Sequence, residues 1–192
     1  MMLMVRSLFV AIALSVGTAA YSQPALPQSI DVYANFVGNW VGVDHYLKDG
    51  NEGGKEITDL LRIEITEAKK KNRIRMVYTY GEKGQKGYAH YTREVTLDPI
   101  GAEMIMEDDP GSSVKYHASG VDQFAKTGYG SFSATHTDND HERPVASRVV
   151  FQLDPDHLNY QWSESVHGQP YFVTSTFKLV RESSPATTGS SH

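Results

Sequence analysis

The chain contains no cysteine. That single absence excludes disulfides, thiolate nucleophiles, cysteine-based zinc motifs and a cysteine-borne lipid anchor. Stability must come from buried apolar surface, which a domain of this size can supply. Basic residues are also in the minority, with 18 Lys and Arg against 23 Asp and Glu and a net charge of −5. A nucleic-acid partner needs a basic face, so none is expected. Beyond the first 22 residues no apolar run approaches membrane-spanning length, so no transmembrane segment is expected after signal cleavage. Gly-x-Ser-x-Gly, a phosphate loop and His-Glu-x-x-His are missing as well. Enzymes whose sites are assembled from separate strands stay open.

Residues 1–22 read as a signal peptide. Arg6 supplies the positive charge, Ser7 to Val16 a short apolar core, and Ala19, Ala20 and Ser22 the small residues of a cleavage region. The expectation is an exported protein, periplasmic or extracellular. Residues 23–35 form a proline-bearing lead-in ending in a short helical turn. Residues 36–182 form one domain, and the Ser/Thr-rich stretch 183–192 a disordered tail.

Within the domain, apolar and polar residues alternate in short runs separated by Gly, Asn, Asp and Pro. Strands are predicted near 37–47, 57–67, 72–80, 87–98, 102–107, 113–119, 128–137, 145–153, 157–166 and 170–181, with a helical turn near 121–126. Period two assigns faces. Leu61, Ile63 and Ile65 oppose Arg62 and Glu64; Ile74, Met76, Tyr78 and Tyr80 oppose Arg73 and Arg75. Val145, Ser147, Val149, Phe151 and Leu153 share another face. The fold class is all-β, a single antiparallel up-and-down barrel of about 8–10 strands, although a sandwich alternates in the same way.

The first strand opens Phe36-Val37-Gly38-Asn39-Trp40. This resembles the Gly-x-Trp signature of lipocalins and other calycin-type barrels. The resemblance implies that Trp40 plugs the closed end, with a basic side chain of the last strand, Arg181 or Lys178, against its ring. Gly38, Trp40 and Arg181 are therefore structural candidates. A cation over the indole contributes about 0.5–2 kcal/mol. The resemblance also implies a small hydrophobic ligand in the cavity. No cofactor is expected, with haem the alternative the wider group allows; some members of that group are isomerases or cyclases.

Candidate ligand-binding residues follow from composition and alternation. Tyrosine offers an apolar body with one polar handle, which suits an amphipathic ligand. Tyr46, Tyr78, Tyr160 and Trp162 are expected to line the pocket. Arg93 is expected inward, as an anchor for a carboxylate. The acid/base candidates are Asp44, Glu164 and His136. Asp44 shares a face with Trp40 unless a bulge turns the strand and leaves it at the solvated rim. Asp44 and Glu164 are a candidate acid pair. His45 and His90 fall on outward faces. The loop from His136 to Glu142 gathers metal-capable groups without a metal motif, so no metal is expected. The leading reading is a non-catalytic ligand-binding barrel. The alternatives are a barrel isomerase, cyclase or lyase, and a filled barrel acting as a structural or interaction module.

Overall fold

In the computed structural model the described residues are 32–50, 52–69, 72–108, 111–138 and 144–183. The expected signal peptide, most of the lead-in and all but the first residue of the tail lie outside them, as does the 139–142 portion of the metal-capable loop. Ten strands form: β1 (Gly38–Leu47), β2 (Glu56–Glu67), β3 (Arg73–Tyr80), β4 (Ala89–Asp98), β5 (Glu103–Asp108) and β6 (Ser112–Ser119), then β7 (Gly130–Asp138), β8 (Val145–Leu153), β9 (His157–Val166) and β10 (Phe172–Arg181). One helix, α1 (Val121–Thr127), joins β6 to β7. Each strand pairs antiparallel with its chain neighbours, and β1 pairs with β10 to close the barrel. Closure rules out the sandwich, because no sheet edge is left to face a second layer.

Alternation sets the interior. Leu61, Ile63 and Ile65 are buried while Arg62 and Glu64 are exposed, and Ile74, Met76 and Tyr78 are buried beside exposed Arg75. Val149, Phe151 and Leu153 are buried on β8. At one end the floor is closed by Trp40, Ile63, Met104, Leu153, Leu158 and Leu179, all essentially inaccessible. The turn at 32–36 and α1 cover that end, burying Val32, Tyr33, Phe36, Val121 and Phe124. Gly120 and Gly128 flank α1 in the left-handed region, at φ 79° and 70°. Left-handed backbone favours glycine. Asn35 ties the turn to the helix by donating to the Gly128 carbonyl at 3.1 Å.

Above this floor the lumen fills with rings. Phe124, Phe132, Phe151, Tyr160 and Phe177 form a chain with successive centroids 5.1, 5.0, 5.3 and 3.9 Å apart. Such pairs contribute about 0.5–1.5 kcal/mol each beyond burial. The lower barrel is thus a packed core.

Two irregularities shape the other end. The bulge falls in β10, between Val173 and Ser175, while β1 keeps an unbroken register against β2 from Gly38 to Leu47. Asp44 therefore stays on the inner face, which settles the choice between lumen and rim. The second irregularity is a short ladder. β6 and β7 pair only at His117–Thr135, Ala118–Ala134 and Ser119–Ser133.

Candidate functional site at the open end

The Gly-x-Trp motif sits at the closed end. Trp40 donates its indole N–H to the Phe36 carbonyl at 2.8 Å, and the Arg181 guanidinium lies 4.1 Å from the ring centroid. Arg181 also donates to the carbonyls of Asn35, Val37 and Pro155, at 2.6, 2.7 and 3.0 Å. Lys178, the other candidate, is exposed on the outer face. A Cβ on Gly38 would come within 2.7 Å of that guanidinium, and its φ of 141° already favours glycine. Three structural residues thus form one plug, remote from the opposite mouth.

The inward residues near that mouth are only partly covered: Tyr80, Tyr91, Arg93, Ser147, Trp162 and Glu164. They rim the open end of the barrel, hereafter the cup, above the buried Tyr78, Tyr160 and Phe177. Tyr91 stacks on Tyr78 at 4.4 Å, and the Tyr160 hydroxyl donates to that of Tyr78 at 3.0 Å. Tyr78 and Tyr160, expected to line a pocket, are buried beneath this rim. Trp162 stands in the wall, edge-on to Tyr116 at 6.2 Å.

One side of the cup is acidic. The Asp44 carboxyl accepts hydrogen bonds from Ser175 at 2.6 Å and Tyr80 at 2.8 Å. Asp59, its register partner on β2, accepts from Tyr46 at 2.8 Å. Tyr46 therefore caps the rim next to this group. Burial pushes Asp44 above the usual aspartate range; the two hydrogen bonds pull it back, and the neighbouring Asp59 charge raises it further. Asp44's acidic neighbour across β1 and β2 is Asp59. Asp59 shares the face of Leu61 and Ile63, so alternation alone could have found it.

Arg93 points inward as expected but is not a free anchor. Its guanidinium grips Asp108 through two bonds, at 2.6 and 2.9 Å, and lies 5.2 and 5.9 Å from the Trp162 and Tyr78 ring centroids. Burial works against its charge, yet Asp108 and Tyr78 keep it firmly protonated. Two of its guanidinium nitrogens are thus already engaged by a carboxylate of the protein itself.

His136, Ser147 and Glu164 are successive register partners across β7, β8 and β9. Ser147 bonds Tyr116, and burial raises the Glu164 carboxyl. The His136 ring lies 5.6 Å from Tyr116, with Nδ1 2.9 Å from the Lys115 carbonyl. His45 and His90 are exposed, as alternation required.

The raised Asp44 pKa makes a stability prediction. The folded state holds the Asp44 proton where the unfolded chain has lost it. Stability is therefore full below the ordinary aspartate range and falls as pH climbs through the raised folded value. Asp44→Asn is expected to flatten this decline in urea unfolding followed from acid to neutral pH. An unchanged slope would place the proton elsewhere.

The class of protein this defines is a closed ten-stranded antiparallel barrel, consistent with a calycin-like architecture. Among solved structures the chain is similar to Rv2717c from M. tuberculosis, with a TM-score of 0.53 and 12% identity over 80% of this chain and 97% of that one. At that identity the likeness is one of fold. No protein-family profile and no curated protein matches the chain. Among the described residues no helix is long and apolar enough to cross a membrane.

Proposed function

We propose that the open-end cup binds a small amphipathic molecule, neutral or basic, gripped by Trp162 and Tyr91 and directed by Asp44 and Asp59. The observation that carries this reading is the layer of partly exposed inward rings above a core that is otherwise closed. Surfaces of that kind supply apolar contact with a few converging polar groups. At the mouth the inward Arg93 is matched by Asp108, while no ion pair to Asp44, Asp59 or Glu164 forms among the described residues. An anionic ligand would meet unbalanced like charge, so the charge preference runs toward neutral and basic heads. The signal-like leader supports action after export, and the reading requires no cofactor.

The test is a titration with the neutral fluorophore phenylnaphthylamine, competed by dodecanol, dodecylamine and dodecanoate. Saturable fluorescence enhancement is expected, with quenching of the Trp162 signal that Trp162→Phe abolishes. The alcohol and the amine should displace the probe more strongly than the carboxylate. A second reading rests on the packed lower lumen, which favours a purely structural barrel; it wins if no probe binds saturably.

A further inference from the structure

We propose that the barrel wall formed by β7, β8, β9, β10 and β1 is a self-association face, on which two copies of this chain pair side by side. The three acids of those strands, Asp44, Asp138 and Glu164, all fall on the inward face by alternation. The outward face of the same strands carries no acid, and its cations are Arg148 and Lys178. The opposite wall differs, with Glu56, Glu64, Glu94, Glu103 and Glu107 all outward. Because the chain has a net charge of −5, two copies meeting through that wall set like charges together. The acid-free wall escapes this repulsion. Depletion of charge is also the compositional mark of an interface core.

The relief of this wall is self-complementary. A groove of about 410 Å³ lies over β8, β9 and β10, lined by Val150, Gln152, Asn159, Gln161, Thr176 and Lys178. Beside it runs an apolar ridge: Val180 is the register partner of Val41, and Leu60 on β2 that of Val43. Leu60 and Val180 are 76% and 47% exposed, so the ridge stands clear of the sheet. A two-fold axis parallel to the strands, between β9 and β10, lays the ridge of each copy over the groove of the other. Five strands about 4.8 Å apart and nine or ten residues long make a wall of roughly 700 Å² in projection, near the ~800 Å² per partner of a standard interface.

The register supports the same axis. One row runs Val43, Lys178, Asn159 and Gln152 across β1, β10, β9 and β8. Laid against its own reverse, it sets Lys178 opposite Asn159 and Val43 opposite Gln152. Lysine only donates, and the asparagine amide offers it a carbonyl oxygen. The next row toward the mouth, His45, Thr176, Gln161 and Val150, sets Thr176 opposite Gln161 in the same way. In these rows no cation meets a cation. Since the axis runs along the walls, both open ends stay free and face the same way, whatever the cup binds.

Sedimentation equilibrium of the protein is expected to show a dimer with Kd about 10 μM or tighter, within the span of interfaces of this size. A monomer at about 100 μM overturns the proposal. Gln161→Glu combined with Thr176→Glu places acid against acid across the axis and should weaken association at least about a hundredfold. Gln161→Lys combined with Thr176→Lys should do the same, and the two variants mixed should recover a heterodimer. Thr92→Glu, outward on β4, is the control and should leave the dimer unchanged. Circular dichroism checks each fold; if a double variant unfolds, Gln161→Lys alone replaces it, with at least about tenfold weakening expected. A dimer as tight in these variants as in the wild type lies on another face and overturns the assignment.

Discussion

Replacing Trp40 by alanine is expected to remove about 3–5 kcal/mol of stability, the range for deleting a large aromatic from a rigid core. Against a total of about 5–15 kcal/mol, such a loss brings the barrel close to unfolding at ambient temperature. Trp40 has no accessible surface, and its neighbours belong to β2 and β10 on either side of the closure. Relaxation into the hole is opposed by the Ile63 and Leu179 backbones, which are fixed in ladders. The indole N–H bond to Phe36 is also lost, loosening the 32–36 turn that covers the floor. Arg181→Lys sharpens the test. Lysine keeps the charge over the ring but cannot reproduce a planar fork reaching Asn35, Val37 and Pro155 together. A smaller loss, about 1–3 kcal/mol, is expected for it. Urea unfolding followed by circular dichroism measures both. A Trp40→Ala cost below about 1 kcal/mol would mean that the floor, turn and helix close the barrel without the plug.

Much of this architecture is legible in the sequence because a barrel wall obeys a local rule. Period-two alternation placed Leu61, Ile74 and Val149 inside, and turn residues bounded the strands within one or two positions. The Trp40 plug was legible through the resemblance of Gly38-Asn39-Trp40 to the Gly-x-Trp signature, which implied a basic side chain of the last strand against the indole. Alternation is silent about depth and about contacts across the lumen. It put Tyr78 and Tyr160 inside but could not show that they bond to each other and, with Phe177, lie buried beneath the cup. It also could not choose a face for Asp44, because a bulge in β1 or in β10 reads alike from composition; the β10 bulge decided it. The short β6–β7 ladder leaves no sequence trace at all, since both strands keep their alternation past the point where the ladder ends.

Arg93 shows that an inward face leaves the partner unspecified. Its inward orientation suggested an anion site, and the Asp108 carboxylate opposite on β5 engages two of its nitrogens within the protein. Asp108→Asn is accordingly expected to reverse the ligand's charge preference. The neutral amide no longer satisfies the fork between Tyr78 and Trp162, so a carboxylate headgroup gains an open bidentate partner. Dodecanoate affinity should rise at least about tenfold, a change of about 1.4 kcal/mol, while dodecylamine weakens. Stability should drop as well, because Arg93 retains only 16% side-chain exposure. The fall should be about 1–2 kcal/mol, below the figure for a fully buried broken pair, because Asp108 is 40% exposed and water can reach the gap. Arg93→Met separates the two effects: it removes the unpaired charge along with the anion site, so dodecanoate binding should not improve. If Asp108→Asn lowers stability yet leaves the amine-over-carboxylate order intact, Arg93 does not face the bound ligand. The selective surface would then lie on the Asp44 side of the cup.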